Sequence, residues 1–413
     1  MSRYLPTIDP LQPELSRGRP ILIKRTSASL LIDRMSSAQL ETRIAPATIA
    51  EIEPIWRAVE SHVGSGDLSS SWIWTKTWLE HYGDLIPHRF AIAERDGPVA
   101  IALVTEGVGQ RVGPVPIRTA HIGTAGEPDG ETVRVQYNRV LASPADSGEF
   151  LVSILSLLNR GDRRWDEIRL DGFVPRDLEM LPSSAFELEE TREICYITEL
   201  RAIHESGESV VSALGGDTAK KIRRNIRRLE EQFGPLTVHW AESVGDAKAI
   251  FAEMCLLHQA RWEAIGSPGV FANPRFAGFH HDLIERLFDK GNIGLARVTA
   301  GDTTIGCDYT FGEHNRLLAY QWGLAQLEDK RLSVGMVTAA LVMQSALERG
   351  IEEYDHLAGD IFYKRQLSTT SRELVWAKAR SGTRIHVIYK LAEAKRRAVQ
   401  LQPFRNWATA IGD

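Results

Sequence analysis

Residues 354–367 read YDHLAGDIFYKRQL, and within that span fall Asp355, His356, Asp360, Tyr363, Lys364 and Arg365. A carboxylate can take a proton from a nucleophile, a phenol with an ordinary pKa of about 10 can give one, and an ammonium can hold a carboxylate or phosphate. Side chains alternate along a strand, so Asp355 and His356 point to opposite faces and only one of them can face a cleft. We assign Asp355 to structure and keep His356 as a spare base.

Other catalytic patterns are missing. The chain has no Ser-His-Asp order, no Walker loop and no HExxH metal motif. His280 and His281 are tandem on a helical stretch, where neighbours face different directions, so no metal is expected. Cys195, Cys255 and Cys307 are odd in number and widely spaced, which fits unpaired thiols in a reducing compartment. A net charge of -5 weighs against a whole-molecule footprint for nucleic acid and leaves room only for local anion sites. Hydrophobic content of 43% and charged content of 25% are ordinary for a globular chain, and no run reaches the roughly 18 apolar residues of a membrane span. The expected location is the cytoplasm. The composition does not indicate an oligomeric state.

At 413 residues the chain calls for two or three units. We expect a tail over 1–40, with Met35 as an alternative start, a first lobe over 41–200, a second over 201–400, and a tail over 401–413. The first lobe opens with a short strand and a helix in which Ile49, Ile52, Ile55, Trp56 and Val59 recur at helical spacing. SWIWTKTWLEHYGD follows, with Trp74, Trp78 and Tyr82 on one helical stripe expected in the core. RFAIAERDGPVAIALVTEG is a hairpin turning at Asp96-Gly97. IRTAHIG is a strand ending in the Gly-rich GTAGEPDG, and EFLVSILSLLNRGDRRWDEIRLDGF adds a helix and a strand. The second lobe repeats this order: LTVHWAE, two helices, a hairpin turning at Gly301-Asp302, the strand RLLAYQWGLA, then a helix and strand through MVTAALVMQSALERGIEEYDHLAGD. RELVWAKAR and RIHVIYK look like a closing hairpin, and LAEAKRRAVQL like a last helix. The repeat implies two copies of one α+β unit, packed together without a linker.

Two stretches could hold anions. At Ser333 to Met336 a loop enters a helix, so unpaired backbone N–H groups and the helix dipole offer a pyrophosphate site, with Gly335 allowing close approach. AKKIRRNIRRLEEQFG sets Lys220, Arg224, Arg227 and Arg228 along one side of a helix: a solvated face, a phosphate or acidic-acceptor edge, or a tRNA contact.

The order of elements resembles the GNAT (Gcn5-related) N-acetyltransferases. Leu332-Ser333-Val334-Gly335, Asp355 with Gly359-Asp360, and Tyr363-Lys364 are similar to the motifs of the CelD/BcsL branch, the BioF2-like acetyltransferase domain. Arg331 lies four residues before Gly335, and Val337 occupies a place where the wider superfamily prefers a small residue. The resemblance implies two tandem GNAT-like lobes, each a mixed, mostly antiparallel sheet flanked by helices, with the first lobe structural. It implies acetyl-CoA or another acyl-CoA as co-substrate, cradled by Trp322, Leu332, Ser333, Val334, Gly335 and Met336, its arm entering where two strands splay. It further implies a bacterial acyltransferase acting on a small or sugar-like cell-envelope acceptor, as in cellulose or exopolysaccharide biosynthesis. Asp360 would accept the acceptor's proton and Tyr363 protonate the thiolate. Lys364, Asp308, Gln321, His356 and Arg224 would line the acceptor side. The alternatives are a FemABX-like aminoacyl-tRNA-dependent transferase, the one case with a tRNA partner, and a non-catalytic scaffold.

Overall fold

The computed structural model describes residues 40–64, 67–107, 111–112, 115–128, 130–133, 136–160, 165–179, 181, 187–329, 331–380, 387–388 and 390. The first half contributes β1 (Glu41–Ala45), α1 (Ile49–Val63), α2 (Trp72–Tyr82), β2 (His88–Glu94), β3 (Pro98–Gly107), a ribbon of β4 (Arg111–Val112) and β5 (Val115–Pro116), β6 (Thr119–Ile122), β7 (Leu141–Ala142), α3 (Ser147–Arg160) and β8 (Glu167–Phe173). The long strand β9 (Glu187–Glu199) leads to α4 (Leu200–Ser206), α5 (Val210–Ala213), α6 (Gly216–Phe233), β10 (Leu236–Trp240), α7 (Val244–Glu263) and α8 (Pro274–Leu287). The hairpin β11 (Ile293–Ala300) and β12 (Thr303–Glu313) follows, then β13 (Arg316–Leu324), α9 (Val334–Glu348), β14 (Glu353–Ala358), α10 (Phe362–Leu367) and β15 (Thr370–Arg380).

Thirteen strands form one mixed sheet in the order β1-β2-β3-β6-β8-β15-β9-β14-β13-β12-β11-β10, with β7 attached to β3. From either edge inward the plan is the same: three antiparallel strands, a fourth antiparallel to the third, then a parallel pair, β6 with β8 or β13 with β14. The expected two-lobed α+β architecture is therefore present. The lobes are joined by exchange. β15, from the end of the chain, lies beside β8, while β9, which leaves the first half, lies beside β14. β9 and β15 pair along all 11 residues of β15. The two halves, expected to pack against each other, share one continuous sheet.

Alternation builds the layers. Phe90 and Ile92 of β2, with Ile101 and Leu103 of β3, join the core under α1, α2, α7 and α8, whereas Ala91, Ala93, Ala100 and Ala102 face the core that holds α3. A third core gathers α4, α5, α6 and α9 on the same sheet's second half. Trp74, Trp78 and Tyr82 are buried as expected. Trp74 crosses between halves, edge-on to Phe279 of α8 at 5.4 Å and to Phe311 of β12 at 5.5 Å. Around them α2 and α8 are tied by Arg275 with Asp84 at 2.7 Å and Arg286 with Glu80 at 2.6 Å.

Two elements carry no clear signal in the sequence: β9 is a strand that its charge-rich composition conceals, and Tyr363 and Lys364 lie on a short helix, α10. The strand expected at RIHVIYK and the helix expected at LAEAKRRAVQL lie largely or wholly outside the described residues.

Candidate functional site

α9 is apolar nearly all round and buried along most of its length, which fixes where its N-terminus points. Ser333 occupies the cap position, but its hydroxyl makes no capping bond. The Ser333 amide donates to Asn225 Oδ1 of α6 at 3.3 Å, and the amides of Met336 and Val337 return to the Ser333 carbonyl. The start of the helix keeps its positive dipole end, and its own cap residue's side chain leaves the first amides uncapped. A cavity of 530 Å³ lies beside this turn. Trp322, Leu332, Ser333, Val334, Gly335 and Met336 all line it, with His258, Arg261 and Trp262 at the end of α7, Lys221 of α6, and Phe362, Tyr363 and Gln366 of α10.

The cavity adjoins a wedge in the sheet. β13 and β14 pair at three positions, ending at Leu318 and Asp355, after which β13 runs on to Leu324 paired with β12 on its other edge. β14 turns away because its register against β9 shifts between Asp355 and Ala358, with Leu357 at φ +60°. Asp355 Oδ1 accepts from the Leu357 amide at 2.7 Å, and Lys364 Nζ donates to the carbonyls of Leu357 and Ala358, each at 3.0 Å. Two first-half residues reach the same bend: Gln136 Oε1 accepts from the Ala358 amide at 2.7 Å, and the Tyr137 hydroxyl donates to Asp355. The first half has the matching parallel pair, β6 with β8, but Asn138 Nδ2 bridges the carbonyls of Ile122 and Asp171 there.

The remaining expected site residues are scattered about this frame. Asp308 of β12 is buried, opposite Trp322 in register; its Oδ2 accepts from the Tyr354 hydroxyl at 2.7 Å and its Oδ1 has no partner. Burial pushes the Asp308 carboxyl up to about 7, and the same charge adds to the burial that raises Tyr363 to about 12. Gln321 is fully buried at a bulge between β12 and β13, and neither amide atom is hydrogen-bonded. His356 faces Thr198 Oγ1 at 3.1 Å, and burial drops it to about 3, so it is neutral near pH 7. Lys364 is buried on backbone carbonyls rather than presented to an acceptor. Asp360 is outside the cavity wall: Tyr196 donates to it at 2.7 Å and Arg365 pairs with it, which holds its carboxyl below the usual range. Arg224 is exposed on α6.

Sequence reasoning missed His258, Trp262, Gln136 and Tyr137. The first two are four apart on one helix, and Trp262 Nε1 donates to His258 Nε2 at 2.9 Å; that spacing was the available signal. Gln136 and Tyr137 act on residues more than 200 positions away, which no local pattern reveals.

A cleft opens between the lobes. One cavity, of 350 Å³, is walled by Arg57, Glu60, Lys290, Asn292, Glu313 and His314. It shares Leu68 and Glu313 with a narrow one of 30 Å³ that reaches Trp74, Gln136, Tyr320 and Leu357. Among the described residues Asp67, Glu313 and His314 form the single group with metal-ligand proximity. Arg139 and Arg316 already pair with its two carboxylates.

No curated protein matches the chain. Among solved structures, FemX is 12% identical with a TM-score of 0.49, over 81% of this chain and 96% of that one. L-PGS from Bacillus licheniformis is 10% identical with a TM-score of 0.48, over 82% and 95%. A tandem GNAT protein from the clavulanic acid biosynthesis pathway is 9% identical with a TM-score of 0.39, over 83% and 100%. Residues 216–365, which contain the helix turn, most of the cavity wall and the bent strand, match the family model described as an Acetyltransferase (GNAT) domain.

Proposed function

We propose that the protein is an acyl-CoA-dependent N- or O-acyltransferase, with acetyl as the transferred group and direct transfer as its route. The observation that carries this is the cavity shared by the uncapped start of α9 and the open wedge between β13 and β14. The pyrophosphate rests on the first turn of α9, where Lys221 and Arg261 supply positive charge, and the pantetheine arm follows the unpaired edge of β13. The thioester then lies near Trp322 and Tyr363. The hydroxyl of Tyr363 stays protonated at neutral pH and so donates to the departing sulfur. Asp308, half ionised near pH 7, takes the nucleophile's proton, while Asp360 orders the start of α10 through Arg365. The 41–200 lobe is structural, because Asn138 occupies its wedge.

The acceptor enters through the cleft between the lobes. That cleft has both signs of charge and a narrow inner end, which suits a small polar or sugar-like molecule presenting one amine or hydroxyl. Gln321 and Arg224 serve acceptor and donor phosphate respectively, and the enzyme works in the cytoplasm. No helix among the described residues is long and apolar enough to cross a membrane.

A second reading, transfer from aminoacyl-tRNA, draws on the exposed basic residues Lys220, Arg223, Arg224 and Arg227 on α6, the helix that also lines the cavity. Thermal-shift titration separates the readings: acetyl-CoA or CoA stabilises an acyl-CoA enzyme, and charged tRNA stabilises the other. Stabilisation by neither leaves a non-catalytic scaffold and overturns both.

A further inference from the structure

Five residues other than glycine have positive φ among the described residues: Asp96, Tyr137, His314, Asn315 and Leu357. Asp96, His314 and Asn315 sit in hairpin turns, where such angles belong. Tyr137 and Leu357 sit in no hairpin, and both are hydrogen-bonded to the Asp355 carboxylate. A leucine gains nothing from this backbone region and stays there only when its surroundings over-determine it.

The surroundings can be counted. Asp355 divides its carboxylate, one oxygen on the Leu357 amide and the other on the Tyr137 hydroxyl. Lys364 and Gln136 take the remaining backbone groups of the bend. The Tyr137 ring lies under the Arg316 guanidinium, 4.2 Å from centroid to carbon, and Arg316 is the first residue of β13. One tyrosine of the first half therefore touches both strands of the wedge at its closed end. With an extended Leu357, β14 would continue alongside β13 past Leu318 and close the space beside the cavity.

We propose that Tyr137 is a positioning residue for donor binding: by fixing Asp355 it holds Leu357 in the left-handed conformation that keeps the β13–β14 wedge open. This rests on the acyl-CoA reading for its ligand, but the lock itself is a property of the bend. It also makes the first lobe necessary for the second lobe's site.

Two measurements test it on the full chain. Acetyl-CoA is titrated calorimetrically into wild type, Tyr137→Phe, Leu357→Gly and the double variant. Tyr137→Phe keeps the ring under Arg316 and loses only the hydroxyl, and it should weaken binding about tenfold, the size expected for a bond to a charged group. Glycine adopts φ +60° without help. The double variant should therefore bind within about twofold of Leu357→Gly alone. Unchanged binding in Tyr137→Phe, or no recovery in the double variant, overturns the proposal. Hydrogen exchange at the Leu357 and Ala358 amides reads the lock without any donor. Faster exchange in Tyr137→Phe is expected, and unchanged exchange overturns the lock. A wild type that binds no acetyl-CoA counts against the acyl-CoA reading alone, since exchange still decides the lock.

Discussion

Asn138 fastens β6 to Asp171 of β8, donating from Nδ2 to the Asp171 carbonyl at 3.1 Å and to Ile122 at 2.8 Å. Gly123 leaves room for it: a Cβ there would meet Asn138 Nδ2 and Oδ1 at 2.7 Å. The first lobe thus fills with its own side chain the wedge that the second lobe leaves open. Calorimetry should find one CoA per chain. Asn138→Ala removes the donor to two carbonyls and should cost about 1–3 kcal/mol of stability with CoA affinity kept. A stoichiometry of two would show that both wedges bind.

Asp308 links activity to stability with opposite signs. Its folded pKa of about 7 lies above the ordinary carboxylate range, so the folded state holds the proton more tightly than the unfolded chain. Stability from this group is complete at acid pH and is lost as pH rises through about 7, while a base must be deprotonated and gains activity over the same range. Asp308→Asn should abolish the rise of kcat through about 7 and lose less stability than wild type as pH rises from the ordinary carboxylate range to about 7. Parallel pH profiles for kcat in the two proteins would remove Asp308 from the reaction.

Much of this frame was legible in the chain. Period-two runs around Asp96-Gly97 and Gly301-Asp302 place both hairpins, and the loop entering an apolar helix at Ser333 places the cavity wall before any contact is known. The two-lobe order follows from the repeat. Partners distant in sequence were not legible. β9 is concealed because its charged residues find their opposites only across the ladder, as Arg192 does Glu373 at 3.0 Å. Asp360 and Lys364 look reactive in the sequence because reactivity depends on partners. One is neutralised by Arg365 and the other is spent on carbonyls, whereas Asp308, plain in sequence, is left with an unpaired buried oxygen.

Gly335 is the second residue of α9, at a backbone angle that any residue accepts, so a side chain there meets no backbone strain. A Cβ there would stand 2.9 Å from Leu324 Cδ1, the movable end of a side chain that also lines the cavity. Gly335→Ala should raise the melting temperature slightly and weaken acetyl-CoA binding by a few fold. Gly335→Trp puts an indole in the cavity and should abolish binding, with the apo protein still folded by circular dichroism. Retained affinity in the tryptophan variant would put the donor elsewhere.

Asp360 and Tyr363 are three residues apart and face different tasks. Asp360 is partly exposed and paired with Arg365, an arrangement that lowers its proton affinity and makes it a weak base. Asp360→Asn keeps the Tyr196 contact, so kcat should stay within about twofold and the melting temperature within about 2 °C. Tyr363 lines the cavity, and Tyr363→Phe removes the donor to the leaving sulfur without emptying the wall. Its kcat should fall about 10- to 100-fold with the donor KM unchanged. Both enzymes can be assayed by thiol release with saturating acceptor. A tenfold loss in Asp360→Asn at unchanged CoA affinity would make Asp360 the base in place of Asp308, and a Tyr363→Phe enzyme of full activity would leave the thiolate to be protonated from water.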